Sequence, residues 1–86
     1  MPKYEPLHDF LALSHPTQQK VTLSFHQIEF IIGDTLPKAA SEHRPWWGNQ
    51  RDHENRPQAK AWMSAGYEVG EVSLSQGGIV RFRRVT

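Results

Sequence analysis

Residues 42 to 62 read EHRPWWGNQRDHENRPQAKAW, and this stretch concentrates the side chains best suited to recognition chemistry. His43, Arg44, Trp46, Trp47, Asn49 and Arg51 fall within nine residues. An indole face stacks on a nucleobase, contributing about 1–3 kcal/mol per base. A guanidinium supplies salt-dependent attraction to phosphate, and a carboxamide matches the edge of adenine. These are the parts of a nucleic-acid platform. The indoles also suit a structural role, since each Trp buries about 150–250 Å², a large share of what an 86-residue chain can bury. At least one of Trp46 and Trp47 is therefore expected to anchor the segment to the core, with the other facing a partner beside Arg44. Trp62 falls at helical spacing with Ala59 and Met63 and is expected in the core.

A second basic group closes the chain. Residues 77 to 86 carry Arg81, Arg83 and Arg84 and no acid. Arg81 and Arg83 are two apart, so in a strand both project from one face and could track phosphates. The competing role is a solvated outer face that blunts an edge strand. Lys38 adds a cation to the helix preceding the Trp pair.

Catalytic readings find less support. His43, Asn49 and His53 superficially resemble an HNH nuclease string. That chemistry needs a strand–turn–helix geometry around one phosphate, whereas the intervening residues read as loop, with no second ligand pair at a recognisable spacing. Asp52 and Glu54 alternate in a polar run and are expected to be solvated. Ser24 is accounted for by helix capping, and no base partner is evident for it. Gly77-Gly78 forms a turn, since no helix follows it. No catalytic residue, metal or cofactor is expected, and the chain is not expected to be an enzyme.

The elements that must position these groups follow from local pattern. Leu7, Phe10 and Leu11 suit a short amphipathic helix over 5–14, ended by His15-Pro16. Val21, Leu23 and Phe25 alternate with polar residues, as in a strand with one buried face. Ser24 and Gln27 form a capping box opening a helix over Phe25 to Ile32, and Gly33 is its left-handed stop. Pro37 is placed to start a short helix through about His43, which Pro45 ends. Residues 46 to 56 show no period and read as a loop, longer than a compact domain usually carries. Pro57 begins a further helix that Gly66 closes. From Tyr67 onward the pattern is a hairpin. Val72 and Leu74 alternate on one arm, Ser75 to Gly78 turn the chain, and Val80 and Phe82 face away from Arg81 and Arg83 on the other.

The expected fold is α+β. Residues 1–86 form one small domain of three to four short helices, a short strand and a C-terminal β-hairpin, in an order that approximates a winged helix. Length excludes a second core. The absence of Cys excludes disulfides and thiolate metal sites and is compatible with the cytoplasm. Met1 to Phe10 has no apolar run, so no signal peptide is expected, and the apolar stretch Phe30 to Ile32 is far too short to span a membrane. The net charge of +1 is low for a nucleic-acid binder, so any basic face must be assembled locally.

The strings VTLSFHQIEFIIGDTLPKAASEHRPWWGN, QAKAWMSAGYEV and VRFRR carry a resemblance of the whole chain from Tyr4 to Arg84. They resemble a small bacterial and phage domain family with the recurring pattern LSF-x-x-IE-x-x-x-G, LP-x-x-A, H-R-x-WW-x-N and QA-x-AW-x-x-AG. No function is assigned to that family. Similar domains occur near or fused to nuclease or defence proteins, which implies nucleic acid without designating a binding residue. One departure is Lys38-Ala39-Ala40-Ser41, where a Ser-Ala-Arg run is expected. From residues and resemblance together, the expected function is a non-enzymatic nucleic-acid-binding module, for duplex DNA above RNA. The alternative is a protein-interaction or inhibitor module of a phage or defence system, because near-neutral charge and exposed Trp and Arg also suit a protein interface.

Overall fold

At Ser24 the chain passes from sheet to helix in one residue. Its backbone is extended, with φ −77 and ψ 160, and its hydroxyl accepts the Gln27 N–H at 3.0 Å. The Gln27 side chain returns the bond by accepting the Ser24 N–H at 2.8 Å. Two of the helix's unpaired first-turn donors are thereby satisfied, and the expected capping box is present. At the other end Gly33 adopts φ 70 and donates to the Glu29 carbonyl, the left-handed stop that a residue lacking Cβ adopts without strain.

The computed structural model describes residues 3–13, 19–49 and 56–85. In chain order these form α1 (Glu5–Ala12), β1 (Lys20–Ser24), α2 (Phe25–Ile32), α3 (Lys38–Glu42), a 3-10 helix (Arg44–Trp47), α4 (Pro57–Ser64), β2 (Tyr67–Ser73) and β3 (Ile79–Arg84). The architecture is α+β. The three strands make one antiparallel sheet in the order β1-β3-β2, so the last strand is central. The hairpin turn runs through Gln76, Gly77 and Gly78, all with positive φ, and Gly78 donates to the Ser75 carbonyl at 3.0 Å.

One core joins the layers. Val21, Leu23, Tyr67, Val72, Val80 and Phe82 line the inner face of the sheet. Against them lie Leu7 and Leu11 of α1, Phe25, Ile28 and Ile32 of α2, and Ala59, Ala61 and Trp62 of α4. Through its centre runs a column of rings. Phe25 stacks on Trp47 at 5.1 Å, Trp47 on Trp62 at 5.8 Å, and Trp62 lies 5.8 Å from Phe82. Burial of so many large rings is how a short chain offsets the entropy of ordering it.

Several expected boundaries shift. Helix α1 ends at Ala12 rather than residue 14. Phe10 lies at the edge of its apolar stripe and is 41 % exposed; residues 15 and 16, expected to end the helix, lie outside the described residues. Pro37 is the extended cap of α3 instead of its first helical residue. The expected loop from residue 46 begins as helix, because the 3-10 segment takes in Arg44 to Trp47. Pro45 lacks the N–H to continue α3, but its fixed φ suits a tight new turn. Trp46 donates to the His43 carbonyl at 2.9 Å and Gly48 to that of Pro45 at 3.0 Å.

Candidate nucleic-acid interface

The residues from His43 to Asn49 come together, and most of their polar capacity is turned inward. The 3-10 turn aims its two indoles differently. Trp47 is 2 % exposed, and its Nε1–H donates to the Ala40 carbonyl at 2.8 Å, which satisfies the polar atom of a buried ring. Trp46 is half-buried, edge-on to Tyr4 at 5.9 Å and to Trp47 at 4.6 Å. Of the adjacent pair, Trp47 is the anchor and Trp46 keeps an accessible part. Trp62 is completely buried, as its helical spacing implies.

Asn49 works as a strand residue would. Its Nδ2 donates to the Val69 carbonyl at 2.9 Å, and its Oδ1 accepts the Val69 N–H at 2.8 Å. The same oxygen accepts the Trp62 indole N–H at 3.0 Å. The Arg44 guanidinium donates to the Val72 carbonyl. Because β2 pairs with β3 on one side only, Arg44 and Asn49 close part of its other edge, which would otherwise offer unpaired backbone groups. His43 is exposed, with its backbone N–H bonded to the Ala39 carbonyl. Lys38 is exposed and lies 3.9 Å from Glu42, one helical turn away. Arg51 lies outside the described residues, as do Asp52, His53 and Glu54.

The second basic group has a different setting. Val80 and Phe82 point into the core, and Arg81 and Arg83 point to solvent. The register sets Lys20 of β1 opposite Arg83 and Thr22 opposite Arg81, so three cations share the outer face of the sheet. On the β2 side, Glu68 lies opposite Arg83 and Glu71 opposite Arg81. Arg81 meets Glu71 at 3.5 Å, and the Arg83 guanidinium bonds Glu68 through two nitrogens. Two residues three apart face the same way here because the ladder is interrupted by a bulge between Val69 and Glu71, leaving Gly70 as the extra residue. The bulge resets the alternation, so Val72 returns to the core.

Sequence reasoning missed Lys20, Glu68, Gly70 and Glu71. Lys20 had a local signal, as the polar position before the alternating Val21 and Leu23. Its meeting with Arg83 depends on strand order, which no local pattern carries. A separate groove of about 440 Å³ lies between α1 and α4, lined in part by Tyr4, His8 and Lys60. None of the expected site residues enters it. Burial raises the Tyr4 phenol above its ordinary pKa, and the Asp34 carboxylate raises it further. Among the described residues no group of three or more His, Asp or Glu is placed to hold a metal ion. No helix among them is long and apolar enough to cross a membrane.

A family model described as a domain of unknown function, DUF7662, matches residues 4–85. No curated protein and no solved structure matches the chain.

Proposed function

The chain belongs to the DUF7662 family, and from that premise we propose that it is a non-enzymatic, cytoplasmic nucleic-acid-binding module for duplex DNA. Its contact surface on this reading is the outer face of the sheet. The observation that supports this most is the register bringing Lys20, Arg81 and Arg83 together on that face. Three aligned cations neutralise successive phosphates and release their counterions. A charged, polar face suits backbone positioning better than base readout.

The order of elements adds support. A helix, a strand, further helices and a hairpin, with the first strand on the outer side of the hairpin's second arm, approximates the order of a winged helix, with α3 and the 3-10 helix as additions between β1 and β2. That analogy concerns architecture alone. The ion pairs to Glu68 and Glu71 weaken the field without abolishing it. The Arg81–Glu71 pair is exposed, and such pairs contribute only about 0–1 kcal/mol, so phosphate competes with it at low cost. The partly buried Glu68 holds Arg83 more firmly. In this account Trp47, Asn49 and Arg44 hold the scaffold through their bonds to the Ala40, Val69 and Val72 backbone.

The test is fluorescence anisotropy with a mixed pool of duplex DNA and single-stranded RNA at low salt. Binding is expected for the duplex, with log K falling against log salt at a slope of about −2.7 for three phosphate contacts. The Arg81→Ala/Arg83→Ala variant should bind about tenfold more weakly or worse. A correctly folded chain that binds neither nucleic acid even at low salt would sink the proposal.

A second reading has its own observation. Phe30 is 88 % exposed and Leu13 85 %. These suit a protein-interaction or inhibitor module, as in a phage or bacterial defence system. In that case Phe30→Asp would abolish partner binding and Arg81→Ala would leave it intact.

A further inference from the structure

On the outer face of the sheet, β2 carries Gly70 where a strand would ordinarily hold a side chain. Glycine inside a strand weakens it, having no side chain to pack and more conformational freedom to lose. Two ordinary reasons for glycine are absent. Gly70 is not among the residues with positive φ, which are Gly33, Gly66, Gln76, Gly77 and Gly78. A Cβ built on it would lie 3.6 Å from the Arg81 carbonyl oxygen and 3.7 Å from the Arg83 Cβ, ordinary van der Waals separations. Neither a positive φ nor crowding calls for a missing side chain here; Gly70 is the bulge residue of β2, and its lack of a Cβ leaves the outer face open at that point.

What the missing side chain leaves is a depression of about 150 Å³, lined by Lys20, Gly70, Glu71, Arg81, Phe82 and Arg83. Three of those six are cations and one is an anion. We propose that the depression over Gly70 seats one tetrahedral oxyanion, a phosphate group, between the side chains of Lys20, Arg81 and Arg83. This deepens the nucleic-acid reading and rests on it for the phosphate's source, a DNA backbone.

Arg81 touches Glu71 through one nitrogen at 3.5 Å, and both side chains are more than half exposed. A guanidinium has five N–H donors in a fork that matches phosphate oxygens, so Arg81 can take up an anion while keeping its loose contact to Glu71. Phosphate chemistry is shared by a DNA backbone and by free phosphate, and the two sources are separable by experiment.

Amide chemical shifts would be followed while the protein is titrated with inorganic phosphate, against chloride at equal ionic strength. The expected shifts cluster at Gly70, Glu71, Arg81 and Arg83. In Gly70→Val, whose side chain fills the depression, apparent affinity should fall by about tenfold or more. Gly70→Ala should fall between, and unchanged melting curves would show that both variants fold. Clustered shifts absent from the wild type, or equal in Gly70→Val, would overturn the seat. In a parallel arm with duplex DNA, Gly70→Val should also weaken binding. Duplex binding indifferent to Gly70→Val would overturn the seat and leave the module standing. Phosphate binding lost in Gly70→Val, in a wild type that ignores DNA, would support the seat and overturn the nucleic-acid reading in favour of free phosphate.

Discussion

Asn49 shows how much a single side chain can hold when its partners lie far away in sequence. It bonds both backbone groups of Val69 and accepts the buried Trp62 indole. Asn49→Ala removes all three bonds and leaves the Trp62 N–H without its partner. An unsatisfied buried donor costs about 1–3 kcal/mol, so chemical denaturation should show a loss of at least that size. Loss of DNA affinity with no loss of stability would instead place Asn49 at the ligand. Tyr4 makes a separate prediction. Its phenol resists ionisation in the fold because burial and the Asp34 carboxylate both disfavour the phenolate. The unfolded chain therefore releases that proton first as pH rises, and stability should fall once pH passes the ordinary tyrosine value of about 10. Below that value this contribution is fully present. Tyr4→Phe should flatten the decline, measured as unfolding free energy against pH.

At the level of elements, the junction between the hairpin and α2 is the tightest point. Gly78 has φ +85, and a Cβ there would fall 2.2 Å from the Phe25 ring. Phe25 also donates its backbone N–H to the Gly78 carbonyl at 3.0 Å and stacks on Trp47. Gly78→Ala therefore combines a disfavoured backbone, about 1–2 kcal/mol, with overpacking of about 1–3 kcal/mol. A thermal melt should show destabilisation of at least about 2 kcal/mol. Gly33 is also left-handed but nothing lies within 4 Å of its Cβ position, so Gly33→Ala should cost only the backbone part. A similar loss at both positions would mean that the Phe25 ring is not packed against the turn. These elements were legible because their signals are local: capping box, stop glycine and turn glycines all lie within a few residues of what they shape. The 3-10 helix over Arg44–Trp47 escaped notice, since one short turn has no period to read.

Across the whole molecule, charge is arranged by the sheet. A net charge of +1 conceals an outer face where Lys20, Arg81 and Arg83 stand against Glu68 and Glu71. The proposed DNA contact therefore belongs to this scale, and its signature is collective. Each cation removed should flatten the salt dependence by about 0.9 in log–log slope. Removing Glu71, as Glu71→Gln, should strengthen binding by releasing Arg81 to phosphate. Unchanged slopes across the Lys20→Ala, Arg81→Ala and Arg83→Ala series would show that this face does not meet the polyanion.

The boundary between sequence and structure follows the distance over which each interaction acts. Alternation in β1 and β3, the cap of α2 and the glycines of the hairpin turn act between near neighbours, so the sequence alone determined the kind and order of most elements. It also placed Trp62 in the core through its helical spacing. Only the tertiary structure decided that Trp47 is the buried member of its pair, that Asn49 binds a strand residue twenty positions away, and that two glutamates flank the arginines of β3. The reason is physical: strand order, register and the bulge at Gly70 are set by packing the whole core at once. A long-range pairing of this kind leaves no periodic trace in the residues that make it.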